Sequence, residues 1–219
     1  MKYKDKYFSV LGDSISTLYG YNPLGFDSFY KYEMCEISGV KNYEDTWWGQ
    51  VIDALGGKLL VNNSWSGTLV VKHPLCRIPS YACSDERTSR LAENGVNPDV
   101  IMVYMGTNDV GWEVEIDGEE GDISCFDVAY RVMLEKIKRN YPDAEIWCFT
   151  LCAREGRDRS YMEKYCKVIR ECAAAYGCRL IDLYGQPRAY ETCDGLHPDA
   201  EGMKTIAKLV LGQIDKGDK

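Results

Sequence analysis

Two short polar segments of the 219-residue sequence carry residue types suited to nucleophilic catalysis. Gly12-Asp13-Ser14 presents a hydroxyl group, and Asp194-Gly195-Leu196-His197-Pro198 places a carboxylate three residues before an imidazole. An aspartate at that spacing can accept the Nδ1 proton of the histidine, which leaves Nε2 free to act as a base. Because a serine hydroxyl is a poor nucleophile until a base removes its proton, the two segments together are suited to acyl transfer.

Each segment also has an ordinary structural interpretation. Gly-Asp-Ser is a common turn or helix-capping sequence, and Asp194 can form a surface Asx turn that leaves His197 in solvent. The choice of base is narrow, because the sequence contains only two histidines. His73 has no carboxylate nearby in sequence, and we interpret it as structural or adjacent to the substrate. His197 is therefore the better candidate for a general base.

Two further segments contain groups that can donate hydrogen bonds to the oxygen of a reacting ester. Gly67, within Asn-Asn-Ser-Trp-Ser-Gly (62–67), can bring a backbone N–H close to a ligand. Asn108, within Gly-Thr-Asn-Asp (106–109), can direct its amide toward a developing oxyanion. Both sequences are also typical of plain turns, so neither is decisive alone.

The elements that would position these residues alternate between short apolar runs and stretches of helical periodicity. This pattern is typical of a parallel sheet with helices on both faces. The predicted strands are 7–11, 58–62, 99–105, 144–151 and 178–182, and the predicted helices are 46–55, 84–93, 124–140, 160–176 and 199–214. Thr46 and Ser124 are the expected N-caps of the helices 46–55 and 124–140, and Gly56 and Gly177 are expected to end the helices 46–55 and 160–176.

Three segments are longer than the connections of a minimal α/β unit: 15–45, 68–83 and 110–123. Each follows a predicted strand, which places it at the carboxyl edge of the sheet, where open α/β proteins bind ligands. The first is rich in tyrosine and phenylalanine, and the third is rich in aspartate and glutamate. We refer to them below as the first, second and third insertions.

The strand order 2-1-3-4-5 would bring the candidate residues together. In that order Ser14, Gly67 and Asn108 follow three neighbouring strands, and a crevice opens at their carboxyl ends. The segment after the fifth strand can then carry Asp194 and His197 over the same crevice. We therefore predict an α/β fold, a single three-layer α/β/α domain spanning 1–219, with a five-stranded parallel sheet in this flavodoxin-like order.

The four segments GDS, NNSWSG, GTND and DGLHP resemble the sequence blocks of the SGNH, or GDSL-type, serine hydrolases. They occur in the order of that family and at similar distances along the chain. The resemblance implies an esterase in which Ser14 attacks the ester carbonyl, His197 accepts and returns the proton, and Asp194 orients His197. It also implies an oxyanion hole formed by the backbone N–H groups of Ser14 and Gly67 and the side chain of Asn108. No metal or organic cofactor is expected.

Three more residues are expected to lie next to the substrate. Asp13 and Asp109 occupy positions of the family blocks, and we interpret them as holding loops through backbone hydrogen bonds. Trp65 stands where relatives carry small residues. It is expected either to pack beneath the site or to form one wall of an acyl pocket, and packing is the commoner use of a large aromatic side chain beside a strand.

Composition excludes several other classes of function. With 26 Lys and Arg against 34 Asp and Glu, the net charge is −8, which argues against a nucleic-acid binder. The N-terminal apolar run of about five residues is too short for a signal peptide or a membrane span, so we expect a soluble, cytoplasmic protein without membrane insertion. The ten cysteines include no C-x-x-C pair and are interpreted as thiols that fill the core.

The expected substrate is a small or carbohydrate ester that carries a short acyl group such as acetyl. The sixteen tyrosines and five tryptophans suggest sugar stacking, although many of them can belong to the core. Two alternatives stay open. One is a lysophospholipase or thioesterase that acts on longer acyl chains. The other is a flavodoxin-like binding module without covalent chemistry. Against it, this sequence contains none of the usual glycine-rich phosphate-binding motifs.

Overall fold

The computed structural model describes residues 2–152, 158–186 and 190–217. Within these residues lies a five-stranded sheet whose strands are all parallel and follow the order β2-β1-β3-β4-β5. The strands are β1 (Tyr7–Gly12), β2 (Lys58–Ser64), β3 (Val100–Tyr104), β4 (Glu145–Phe149) and β5 (Arg179–Ile181). The predicted α/β fold class and strand order are confirmed, and each strand lies within two residues of its predicted bounds.

Helices surround the sheet, and five of them pack into two groups. They are α1 (Glu33–Ser38), α2 (Trp47–Leu55), α3 (Asp85–Ser89), α4 (Thr107–Gly111), α5 (Phe126–Asn140), α6 (Arg159–Ala175) and α7 (Ala200–Gly217). The first group consists of α2 packed against α7, and the second consists of α5 packed against both α3 and α6. Strand β3 is buried along its whole length, as expected for a parallel strand that is covered on both faces.

Two predicted helix boundaries are wrong. The predicted helix 84–93 ends at Ser89: Arg90 leaves the helical conformation, and the N–H and carbonyl of Leu91 bond to the hydroxyls of Tyr141 and Ser9 in place of helical partners. The predicted N-cap Ser124 lies outside α5, which begins after Cys125. Its hydroxyl donates instead to the carboxylate of Asp122 at 2.6 Å.

The other predicted boundary residues agree with the structure. The Thr46 hydroxyl accepts the backbone N–H of Gly49 at 3.0 Å and so caps α2. Gly56 and Gly177 both adopt left-handed conformations just after α2 and α6. Short helices α1 and α4, which sequence periodicity did not predict, follow the carboxyl ends of β1 and β3.

The register of the sheet aligns the ends of three strands. Gly12 of β1 pairs with Ser64 of β2 on one side and with Tyr104 of β3 on the other. The first insertion contacts the segment between β2 and the second insertion, where the Ser66 N–H donates to the Asp27 carbonyl. The second insertion contacts the third, since the Lys72 N–H donates to the Ile123 carbonyl. The carboxyl edge of β1 is therefore enclosed by all three insertions.

One hydrophobic cluster runs through the chain from Tyr3 to Ile214. All ten cysteines are free thiols, and six of them are buried. In the part of the chain that the structure describes, no helix has both the length and the apolar character needed to cross a bilayer.

Candidate active site

Ser14, His197 and Asp194 form a continuous chain of hydrogen bonds at the carboxyl edge of β1. The Oγ atom of Ser14 lies 2.9 Å from Nε2 of His197. The Nδ1 atom of the same ring lies 2.7 Å from Oδ2 of Asp194. This is the arrangement in which an imidazole can take a proton from a serine hydroxyl while a carboxylate fixes its tautomer.

Ser14 begins a short 3₁₀ turn, Ser14–Ser16, directly after β1. The turn is capped by Asp13, whose Oδ1 accepts the N–H of Ile15 at 3.0 Å. The turn also packs tightly on the end of β1, because a Cβ atom on Gly12 would lie 2.6 Å from Ser16 Cβ and 2.7 Å from Ser64 Oγ. Close packing therefore requires a glycine at position 12, two residues before Ser14.

The candidate base His197 and its carboxylate partner Asp194 are held by one loop before α7. Oδ1 of Asp194 accepts the N–H groups of Leu196 and His197, at 3.0 and 2.7 Å, while Oδ2 contacts the imidazole. Burial raises the pKa of Asp194, but these hydrogen bonds outweigh it and leave the pKa below its usual value. Asp194 is therefore ionised at neutral pH and points both oxygens at its own loop.

The three candidate oxyanion donors lie at the ends of neighbouring strands. Gly67 adopts a left-handed conformation, with φ of 79°. Among the described residues, no acceptor takes the backbone N–H of Ser14 or of Gly67. The side-chain amide of Asn108 donates one hydrogen bond to the carbonyl of Thr68 at 2.9 Å, which leaves its second N–H available.

Asp13 and Asp109 are buried acids that hold backbone groups near the site. Asp109 accepts the N–H groups of Val70 and Val71, at the start of the second insertion. Burial raises the pKa of Asp109 to about 7 despite these hydrogen bonds. Burial likewise raises the pKa of Asp13 to about 6. Both carboxyl groups accept hydrogen bonds from the loops that carry the candidate site.

Trp65 and His73 each contact another aromatic ring. Trp65 is buried under the first insertion, where its ring stacks on Phe26 with a centroid distance of 4.0 Å. The ring of His73 lies 5.3 Å from that of Trp112, and its Nδ1 accepts the N–H of Leu75. These contacts favour a packing role for both side chains.

Phe29 and Tyr30 of the first insertion contact the candidate site, and the sequence did not single them out. The ring of Phe29 stacks on the imidazole of His197. The hydroxyl of Tyr30 donates to the carbonyl of Pro198 at 2.7 Å. Thr17 joins this pair to Ser14, because its hydroxyl accepts the Phe29 N–H and donates to the Ser14 carbonyl. The aromatic richness of the first insertion was the available indication.

Arg87 of α3 is another residue near the candidate site that sequence reasoning missed. Its side chain is completely buried beneath the ends of β1 and β2. A charged residue in a segment of helical periodicity is normally interpreted as solvent-exposed, so the sequence contained no indication of this burial.

The chain matches the profile of the GDSL-like lipase/acylhydrolase family over residues 6–214. It therefore belongs to this family of hydrolases. No curated protein matches the chain.

Several solved structures share the fold over nearly the whole chain. One is a protein from Bacteroides uniformis assigned as a GDSL-like lipase, with 28% identity, a TM-score of 0.77 and coverage of 97% of this chain and 96% of that one. A similarly assigned protein from Bacteroides ovatus is 24% identical, with a TM-score of 0.77 and coverage of 97% and 99%. A family two carbohydrate esterase from Clostridium thermocellum, solved in complex with cellohexaose, is 17% identical, with a TM-score of 0.68 and coverage of 99% of this chain and 66% of that one.

Proposed function

We propose that this protein is a serine esterase that uses Ser14, His197 and Asp194 as its catalytic triad. The observation that carries the proposal is the unbroken hydrogen-bond chain from Ser14 Oγ through both ring nitrogens of His197 to Asp194 Oδ2, at 2.9 and 2.7 Å. Each residue meets a different requirement of acyl transfer: Ser14 is the nucleophile, His197 is the base, and Asp194 fixes the tautomer of the base.

In the first half of the proposed reaction, Ser14 Oγ attacks the ester carbonyl and its proton moves to Nε2 of His197. The negative charge that develops on the carbonyl oxygen is stabilised by the N–H groups of Ser14 and Gly67 and by the amide of Asn108. Collapse of the tetrahedral intermediate breaks the bond to the leaving alcohol, which receives the proton from Nε2. The product of this half is an acyl-enzyme on Ser14.

In the second half, water attacks the acyl-enzyme and gives a proton to Nε2 of His197. The carboxylic acid leaves as Ser14 Oγ recovers that proton, so the enzyme returns to its starting state. Asp194 stays ionised throughout and stabilises the imidazolium that forms twice per turnover.

The decisive experiment is labelling with a serine-directed fluorophosphonate together with hydrolysis of an aryl acetate. Wild type is expected to be labelled and to release acetate, and the S14A variant is expected to lose both properties. The S66A variant is the matched control, because Ser66 is a half-buried serine at the same edge of the sheet whose hydroxyl has no described hydrogen-bond partner. If wild type is neither labelled nor active, the enzyme proposal is wrong and a binding module without covalent chemistry takes its place.

We further propose that the substrate is a short-chain, acetyl-type ester of a carbohydrate. Support comes from an exposed pair of tyrosines on the first insertion: Tyr19 and Tyr32 are 61% and 70% exposed, and their ring centroids lie 5.3 Å apart. Hydrogen bonds connect the pair to the candidate site. The Tyr19 N–H donates to the carbonyl of Tyr30, and the hydroxyl of Tyr30 donates to the carbonyl of Pro198, next to His197. Exposed aromatic faces beside a catalytic site are suited to the apolar faces of sugar rings. The cellohexaose complex of the Clostridium thermocellum esterase adds support from a protein of the same fold.

The Y19A and Y32A variants test this substrate. The KM for an acetylated oligosaccharide is expected to rise by about three- to tenfold, because an aromatic contact contributes roughly 0.5–1.5 kcal/mol. Hydrolysis of an aryl acetate is expected to be unchanged in both variants. The I37A variant is the control, since Ile37 is an exposed apolar residue on the same insertion. A preference for decanoyl over acetyl esters, without acetate release from acetylated sugars, would contradict the substrate and leave the esterase proposal standing.

A further inference from the structure

Arg87 is a buried cation that has no role in the reaction proposed above for Ser14, His197 and Asp194. Its side chain is 0% exposed and is among the largest fully buried side chains of the described residues. Burying a guanidinium group is costly unless its hydrogen-bonding capacity is satisfied, so arginines are rarely buried to this degree without a partner. The contacts that Arg87 makes therefore indicate what it contributes.

All the hydrogen bonds of the guanidinium group end on neutral oxygens. Nε donates to the Asn63 side chain at 2.8 Å, and Nη1 donates to the Thr68 hydroxyl at 3.0 Å. Nη2 donates to the carbonyls of Gly12 and Asn63, at 3.0 and 2.9 Å. Burial lowers the pKa of Arg87 to about 9, while the Coulomb attraction of Asp13 raises it, so the group is charged at neutral pH.

These partners belong to the loops that carry the proposed oxyanion donors. Gly12 lies two residues before Ser14, and Thr68 directly follows Gly67. The carbonyl of Thr68 in turn accepts the side-chain amide of Asn108. One buried side chain thus connects the backbone on which all three donors depend.

An aromatic side chain closes the other side of the guanidinium. The Cζ atom of Arg87 lies 5.4 Å from the ring centroid of Phe26, which stacks in turn on Trp65. The positive charge is consequently kept away from water, and its field at the nearby loops is screened far less than that of a surface cation.

We propose that Arg87 is a positioning residue for the oxyanion hole. It fixes the ends of β1 and β2 relative to each other, which sets the separation of the Ser14 and Gly67 N–H groups. Its charge lies beneath these donors and favours the negative oxygen of the tetrahedral intermediate. This proposal rests on the proposed esterase function.

The test compares the R87K and R87M variants with wild type in aryl acetate hydrolysis and thermal unfolding. R87M is expected to lose about 10²–10³ in kcat, the range seen when one oxyanion donor is removed, with KM changed by less than about twofold. R87K keeps the charge but not the forked set of N–H donors. Its kcat is expected to be about tenfold higher than that of R87M and still below that of wild type. If R87M fails to fold, the kcat of R87K is compared with that of wild type. An unchanged kcat in R87K would overturn the proposal.

The matched control is T88V, which removes a buried hydroxyl from the same helix, where Thr88 Oγ1 donates to the Ser84 carbonyl at 2.8 Å. T88V is expected to lower the melting temperature while leaving kcat unchanged. The proposal is overturned if kcat falls in T88V as much as in R87M at an equal loss of stability. An active wild type together with an inactive S14A variant separates these outcomes from a failure of the esterase function itself, which would overturn both proposals.

Discussion

The phenyl ring of Phe29 lies face to face on the imidazole of His197, with ring centroids 3.4 Å apart and an interplanar angle of 12°. The stack covers one face of the proposed base and restricts rotation of its ring. An aromatic face also attracts a cation, so we expect Phe29 to stabilise the imidazolium that the proposed mechanism forms when Ser14 loses its proton.

Replacing Phe29 by leucine is therefore expected to lower kcat/KM for an aryl acetate by about tenfold, which corresponds to roughly 1.4 kcal/mol. Activity is expected to rise with pH as the imidazolium of His197 loses its proton. In F29L this rise is expected to occur at lower pH, because the imidazolium loses its aromatic partner. The F29Y variant keeps the stack and serves as the control. Unchanged profiles in F29L would show that the ring only fills space.

The D194N variant is expected to fold normally and to lose about 10²–10⁴ in kcat. An asparagine can still accept the N–H groups of Leu196 and His197 at Oδ1, but it no longer fixes the imidazole tautomer or stabilises the imidazolium. The D199N variant is the control, since Asp199 accepts the N–H groups of Glu201 and Gly202 at the start of α7 and does not contact the triad. Steady-state kinetics and thermal unfolding of both variants check this prediction, and wild-type activity in D194N would exclude Asp194 from the triad.

Removing the side chain of Asn108 is expected to destabilise the transition state by about 2.7–4 kcal/mol, seen as a fall in kcat with little change in KM. The N140A variant provides a matched control, because Asn140 also donates its side-chain amide to a backbone carbonyl, that of Thr88, but lies at the end of α5. Equal kinetic losses in N108A and N140A would indicate a structural effect only.

The contribution of Asp109 to the free energy of unfolding is expected to fall as the pH rises from about 4 to about 7. In this window folded Asp109 keeps its proton, since burial raises its pKa to about 7, whereas the same group in the unfolded chain is ionised above about pH 4. The native state then binds more protons than the unfolded state, and the free energy of unfolding decreases with pH. Asp13, whose burial raises its pKa to about 6, acts in the same direction.

The D109N variant is expected to show a flatter pH dependence of melting temperature between pH 5 and 8 than wild type. Asp117 is an exposed acid of the third insertion, and the D117N variant should leave the slope unchanged. Parallel slopes in wild type and D109N would mean that Asp109 is not the group that titrates.

The sheet could be predicted from sequence because continuous apolar runs such as 100–104 leave few alternatives to a strand buried on both faces. The candidate triad could be predicted because its members follow strand ends, where the order of a parallel sheet brings them together. Phe29 and Arg87 could not, since both act through contacts between residues distant in sequence. For Arg87 no pattern in the sequence indicated burial, because the helical periodicity of 84–93 does not record that this charged side chain faces inward.

The separation of the triad along the chain has a consequence for biosynthesis. Asp194 and His197 arrange each other within one loop, while Ser14 lies 183 residues away from His197 in sequence. During translation every strand of the sheet emerges before this loop, so a growing chain presents Ser14 without a base to activate it. Under the proposed mechanism Ser14 becomes reactive only after this loop has been synthesised, and a chain cut ahead of Asp194 is expected to carry the strands and Ser14 but to be inactive.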